Sequence, residues 1–101
     1  MPNSYFRLLS TKKEGSVLVL KIVTPDQLYF EGAVEHVMAP GWDGYLGILQ
    51  NHAAYVTPIT PGQLTYRELG GKTSTVRVEG GFLEVLKNRV LVLTDKIGAV
   101  A

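Results

Sequence analysis

The chain has 101 residues, 46% hydrophobic and 19% charged, which fits one domain with a real core and not a disordered segment. A formal net charge of +1 is too small to argue for nucleic acid or an anionic membrane surface, since both need several clustered Lys and Arg. With no cysteine, disulfide staples, thiolate metal sites and cysteine nucleophiles are excluded. No apolar run approaches the ~20 residues that span a bilayer.

Residues 1–16 read as an N-terminal arm. A small apolar knot, Tyr5, Phe6, Leu8 and Leu9, sits inside polar flanks with Arg7, Lys12 and Lys13. That composition is faintly like a transit peptide, but the segment is short and has no amphipathic helix, which favours a terminal arm that docks somewhere. An all-β domain is expected over 17–95. Val17 to Val23 is short, β-branched and bounded by Gly15-Ser16 and Thr24-Pro25, which predicts a strand. Leu28-Tyr29-Phe30 predicts a second strand running to Gly32. Ala33 to Ala39 alternates, with Val34, His36 and Met38 on one face and Glu35 and Val37 on the other.

The stretch from Ala39 to Ala54 carries Pro40, Gly41, Gly44 and Gly47, and the only tryptophan, Trp42. Glycine permits dihedrals that other residues adopt at a cost, and proline fixes φ, so this is a shaped loop. Leu46 to Leu49 and Asn51 to Val56 predict two more strands, with Pro58 and Pro61-Gly62 as punctuation. Gln63 to Leu69 alternates, and Gly70-Gly71 predicts a tight hairpin into Thr73–Glu79, with Val76 and Val78 inward. Gly80-Gly81 is expected to break that strand. Phe82–Leu86 and Arg89–Thr94 predict a last hairpin across Lys87-Asn88, followed by a short tail over 96–101. No helical spacing of apolar residues is present. Short strands punctuated by Gly and Pro predict an all-β sandwich or barrel.

Enzymatic chemistry finds little support. His36 and His52 are the two histidines, and His36 sits at an inward parity suited to a half-buried structural role. The carboxylates are scattered, so neither a metal site nor an acid/base pair stands out. Gly41-x-x-Gly44-x-x-Gly47 is similar to a phosphate loop, but that mechanism needs a helix directly after the glycines, and the residues after Gly47 are strand-like. Gly47, His52, Gly80 and Gly81 are expected to shape turns. Trp42 and Tyr45 flank Asp43-Gly44 at a loop tip. They either fold back on the core rim or form a contact surface of the kind Trp and Tyr favour. A free-standing module that binds a small ligand or carbohydrate through Trp42 and Tyr45 is the alternative function.

Five separate motifs then agree in order and spacing: Leu20-Lys21-Ile22-Val23-Thr24-Pro25, Phe30-Glu31-Gly32, Pro40-Gly41-x-x-Gly44-x-Leu46-Gly47-Ile48-Leu49-x-x-His52-Ala53, Pro61-Gly62 and Gly80-Gly81-Phe82-Leu83-Glu84-Val85. Together they resemble the N-terminal domain of the F-type ATP synthase epsilon subunit, called delta in mitochondria. The resemblance implies a flattened sandwich of about ten short strands. It implies a central-stalk subunit without catalytic residues or cofactor, bound to the gamma subunit and resting on the c-subunit ring, coupling ion flow to rotation. The loop Gly41-Trp42-Asp43-Gly44-Tyr45 is implied to face the ring, with Asp26 to Glu31 nearby. The implied location is peripheral, on the cytoplasmic face of a bacterial inner membrane, or on the equivalent stromal or matrix side. Asn51 stands where the family usually has glycine, and Asn tolerates positive φ. The family's two-helix hairpin would come after the last strand. The sequence ends at Ala101, so coupling without self-inhibition is expected of it.

Overall fold

A computed structural model of the protein describes residues 18–99, so the expected arm at 1–16 lies outside the described residues. Those residues form seven strands and no helix: β1 (Leu18–Val23), β2 (Leu28–Gly41), β3 (Gly44–Ile48), β4 (Tyr55–Glu68), β5 (Thr73–Leu86), β6 (Arg89–Thr94) and β7 (Ile97–Gly98). The ladder runs β1-β6-β5-β4-β2-β3 and then closes, because β1 also pairs with β2. β1 and β6 are parallel; every other pairing is antiparallel. The closed sheet has two sides that face each other across one core of Leu, Ile and Val, including Leu18, Leu20, Ile22, Leu64, Leu83 and Val92.

The expected ten short strands are seven because β2, β4 and β5 each run through fourteen residues where the sequence predicts two strands. Each long strand passes from one side of the sandwich to the other, and each switches parity once as it does so. On β2 the buried positions go from Val34 to Val37 and Ala39; on β4 from Ile59 to Leu64 and Tyr66; on β5 from Val78 to Leu83 and Val85. A bulge inserts an odd step into a two-residue repeat, so inward residues on both sides of it stay inward.

This corrects the alternation expected over Ala33–Ala39. The β2–β4 register slips between Val34 and His36, which turns Val37 into the core and leaves Met38 exposed and His36 only half-buried. It also corrects the roles of the punctuating residues. Pro58, Pro61 and Gly62 lie within β4; the β2–β4 ladder is interrupted between Thr65 and Ile59, so the missing N–H of Pro61 costs little there. Gly80 and Gly81 lie within β5, at φ 102 and 126, and do not end it. A Cβ on Gly81 would collide with the backbone carbonyl of Leu93 on β6, so this bend tolerates only glycine. Thr94 ties the bend: its buried hydroxyl donates to the Gly80 carbonyl at 2.6 Å and accepts from the Glu79 N–H.

The predicted hairpins at Gly70-Gly71 and Lys87-Asn88 form, all four residues at positive φ. Asn51 takes φ 64, as expected for its place in the Leu49–His52 turn. Asn51 to Ala54 are not strand, contrary to the sequence reading; β4 begins at Tyr55. Ordered structure also runs past the expected domain end at 95, since Ile97–Gly98 pairs with Val78 and Arg77 of β5.

Candidate functional site

The β2–β3 hairpin presents the aromatic loop. Gly41 pairs with Gly44, leaving Trp42 and Asp43 as the tip. A side chain on Gly41 would press on Leu46 and on the Gly44 carbonyl, so the two strands could not approach this closely. Trp42 is 69% exposed and Tyr45 60% exposed, which rules out the reading in which both fold into the core rim. They are held differently. The backbone of Trp42 is fixed, its N–H donating to the Pro58 carbonyl at 3.0 Å, while the indole stands in solvent. Tyr45 lies across β4, its hydroxyl accepting the Gln63 N–H at 3.1 Å; the bare backbone of Gly62 leaves room for it. The tip is thus a rigid presentation of one free and one anchored aromatic, with Asp43 between them.

The other predicted residues fall into four places. Asp26 is exposed in the Thr24–Gln27 turn, closed by reciprocal backbone hydrogen bonds. A single row across the ladder links that turn to the tip: Val23, Leu93, Phe82 and Pro58 are successive neighbours, and Pro58 holds Trp42. Glu31 is not at the tip. It pairs with Lys21 and lines a groove of about 290 Å³ with Val19, Glu84, Leu86 and Arg89. Gly47 sits inside β3 opposite Met38 and makes no turn. His52 closes the Leu49–His52 turn through its backbone, and its Nδ1 lies 2.8 Å from the Ala53 carbonyl, to which it donates. Among the described residues no group of His, Asp and Glu could hold a metal ion. Neither Trp42 nor Tyr45 lines the groove at Val19–Arg89, the one at Val23–Phe82 or the one at Val56–Leu91.

Sequence reasoning missed an apolar surface. On one outer side of the sandwich, β4, β5, β6 and β1 point apolar residues at solvent: Val56, Phe82, Leu86 and Leu93 are exposed, and Leu91 is half-buried among them. The signal was present. Leu91-Val92-Leu93, Phe82-Leu83 and Val85-Leu86 are unbroken apolar steps, and a strand that is apolar on both faces is one covered on both faces. The opposite outer side is polar. Glu35 and Arg67 pair at 3.1 Å, Arg77 and Glu79 at 2.9 Å, and the Thr65 and Thr75 hydroxyls share a hydrogen bond of 3.0 Å.

Residues 17–99 match the family model described as the β-sandwich domain of the ATP synthase delta/epsilon chain. An ATP synthase epsilon chain of Nitratidesulfovibrio vulgaris is 46% identical over 78 residues, covering 77% of this chain and 58% of that protein. The epsilon chain of Desulforamulus reducens is 47% identical over 76 residues, covering 75% and 57%. The alignment thus spans little more than half the length of these curated relatives. Among solved structures, a chain in the Euglena gracilis mitochondrial ATP synthase, described as OSCP/F1/c-ring in rotational state 1, superposes with a TM-score of 0.79 at 22% identity, over 96% of this chain and 66% of that one. A chain from the central stalk and c-ring of the Tetrahymena thermophila mitochondrial enzyme gives 0.69 at 22%, over 88% and 69%. At that identity the two structures speak for the fold.

Proposed function

The chain belongs to the family of ATP synthase delta/epsilon β-sandwich domains, and from that premise we propose that it acts as a non-catalytic central-stalk subunit, coupling ion flow through the c ring to rotation of gamma. The apolar outer side of the sandwich carries this reading. A rotor element must stay attached while torque passes through it, and permanent interfaces resemble a domain core cut in half. Val56, Phe82, Leu91 and Leu93 form such a half-core on a rigid sheet, so this side seats gamma. Glu31, which opens into the same side, belongs to the gamma contact and not to the ring contact.

The hairpin tip at Gly41–Tyr45, with Asp26 in the neighbouring turn, faces the c ring. Its fixed backbone supports that role, because a contact with the ring gains from a loop that needs no reordering on binding. The subunit is peripheral, held at the cytoplasmic face of a bacterial inner membrane through its partners. Among the described residues no helix is long and apolar enough to cross a membrane. The reading needs no cofactor.

The test is association with purified gamma, compared between Phe82→Asp and Thr75→Asp. Phe82→Asp is expected to abolish capture of gamma, and Thr75→Asp, on the polar side, to preserve it. Equal capture by both variants would overturn the assignment of the face. Trp42→Ala is expected to keep gamma and weaken attachment of the assembled F1 to the membrane sector.

A further inference from the structure

We propose that Asn88 is a positioning residue for the apolar side: its side-chain carbonyl holds the β3–β4 loop, residues 49–54, in one place, and so fixes the edge strand that the loop leads into. What the loop is held for rests on the seat of gamma proposed above. That it is held rests on geometry alone.

Residues 49–54 have little else to hold them. Ile48 is buried before the loop and Thr57 after it, and between them only His52 is even half-buried. Two of the loop's hydrogen bonds are internal: the His52 N–H donates to the Leu49 carbonyl at 3.2 Å, and His52 Nδ1 donates to the Ala53 carbonyl at 2.8 Å. Among the described residues, one hydrogen bond joins the loop to another element. The Asn51 N–H donates to Oδ1 of Asn88 at 2.6 Å, across 37 residues of sequence.

The turn that carries Asn88 reaches two segments at once. Lys87 and Asn88 form the β5–β6 turn at φ 50 and 63, and Asn51 takes φ 64. The main-chain carbonyl of Asn88 accepts the Val19 N–H of β1 at 2.9 Å, while its side chain takes Asn51. One residue thus joins the β5–β6 turn, β1 and the β3–β4 loop. Left-handed backbone asks only for a residue that tolerates it, and glycine does so at least as readily as asparagine. Asparagine adds an acceptor, placed here on an N–H that has no partner inside its own loop.

The consequence lies at the end of the loop. β4 begins at Tyr55, and Tyr55 and Val56 have ladder partners on β5 only, Val85 and Glu84. This is an edge with one neighbour. Val56 is 63% exposed, more than Phe82, Leu86 or Leu93, and it walls a groove with Phe82, Leu91 and Leu93. A loop tied back to the β5–β6 turn holds the entry to that edge, so Val56 is in place before a partner arrives. The complex is then spared the entropy of ordering the loop.

The test separates the side chain from the turn. Asn88→Gly keeps the positive φ and the main-chain bond to Val19 and removes Oδ1; Asn88→Asp returns an oxygen to the same place. Amide hydrogen exchange is followed on each full chain without a partner. A neutral hydrogen bond contributes about 1 kcal/mol net, a factor of about five in a local opening equilibrium. The Asn51 N–H is therefore expected to exchange about fivefold faster in Asn88→Gly and at the parent rate in Asn88→Asp, with Val19 unchanged in both. Affinity for purified gamma is expected to fall by up to the same factor in Asn88→Gly and to be kept in Asn88→Asp. Equal Asn51 exchange in the parent and Asn88→Gly overturns the proposal, since Asn88 then serves the turn alone. So does a matching change at Val19, because the turn itself has then opened. Faster exchange with undiminished affinity overturns the positioning role. Failure of even the parent chain to bind gamma overturns the seat of gamma and with it what the loop is held for, while the exchange measurement still decides whether Asn88 holds it.

Discussion

The two outer sides of this sandwich are made largely from the same strands, yet they present opposite chemistry. Along β5 the outward residues are Thr75, Arg77 and Glu79 before the bend, and Phe82, Glu84 and Leu86 after it. Along β4 they are Arg67, Thr65 and Gln63 on one side, and Pro58 and Val56 on the other. The polar side satisfies itself through pairs between neighbours, across strands for Glu35–Arg67 and Thr65–Thr75 and along β5 for Arg77–Glu79. The apolar side leaves Phe82 and Val56 more than half exposed. Strand identity therefore does not decide surface character. The bends at Ile59–Gly62 and Gly80-Gly81 do, by dividing each strand into a solvated half and a half built to be covered.

The most damaging way to break that division is to remove the bend. Gly81→Val places a β-branched side chain at φ 126 and against the Leu93 carbonyl. The backbone must move or the β5–β6 ladder must open. A loss on the order of 5 kcal/mol, or failure to fold, is expected from urea denaturation. A variant of near-native stability would mean that the two halves of β5 do not depend on this glycine.

The next test compares adjacent residues on the apolar half. Leu83 is fully buried and Phe82 is 54% exposed. Leu83→Ala is expected to cost about 3 kcal/mol, as core leucines do. Phe82→Ala is expected to change stability by about 0.5 kcal/mol while weakening capture of gamma. If both substitutions destabilise alike, Phe82 belongs to the core and the apolar side is no docking surface.

These bends also explain what the sequence made legible. The hairpins at Gly70-Gly71 and Lys87-Asn88 were readable because positive φ at two consecutive residues is a local requirement with a local residue signature. The all-β class was readable because period two persists within each half-strand. Gly80-Gly81 and Pro61-Gly62 were visible too, but as breaks. Glycine marks a turn and a bulge alike, and only the pairing partner tells them apart. The parity of Met38 and His36 was lost for the same reason, since alternation carries no memory across a bulge. Tyr45 was recognised as an aromatic at a tip. Its anchoring was not, because it depends on Gly62 and Gln63, which only the fold brings to it.

A smaller effect probes the seam between the two sides. Tyr66 lies beneath the polar side and meets Phe30 of the other layer, with ring centroids 4.6 Å apart. Burial raises its phenol above the ordinary value of 10.0, and a hydrogen bond with Ser74 acts against that. The folded state therefore holds this proton more tightly than the unfolded chain. The resulting stability is fully present below pH 10 and is lost as pH rises through the elevated folded value. Tyr66→Phe keeps the ring stacked and is expected to flatten the alkaline decline of stability relative to the parent chain. An unchanged decline between pH 9 and 11 would place the titrating groups elsewhere.

The smallest effect tests whether the polar side is self-sufficient or is also waiting for a partner. Glu35 and Arg67 face each other at 3.1 Å, both with nearly half of their side chains exposed. In that setting the Coulomb attraction is weakened by water and partly offset by the entropy of holding two long side chains, so a double-mutant cycle with Glu35→Gln and Arg67→Met is expected to give a coupling of about 0.5 kcal/mol. The coupling should shrink between 50 mM and 1 M salt, where the screening length falls to ~3 Å. A coupling of several kcal/mol, insensitive to salt, would mean the pair is shielded from water in solution and that the polar side is covered as well. A small, salt-sensitive value leaves the contrast intact: one side closes its hydrogen bonds on its own surface, and the other has apolar groups that only another surface can satisfy.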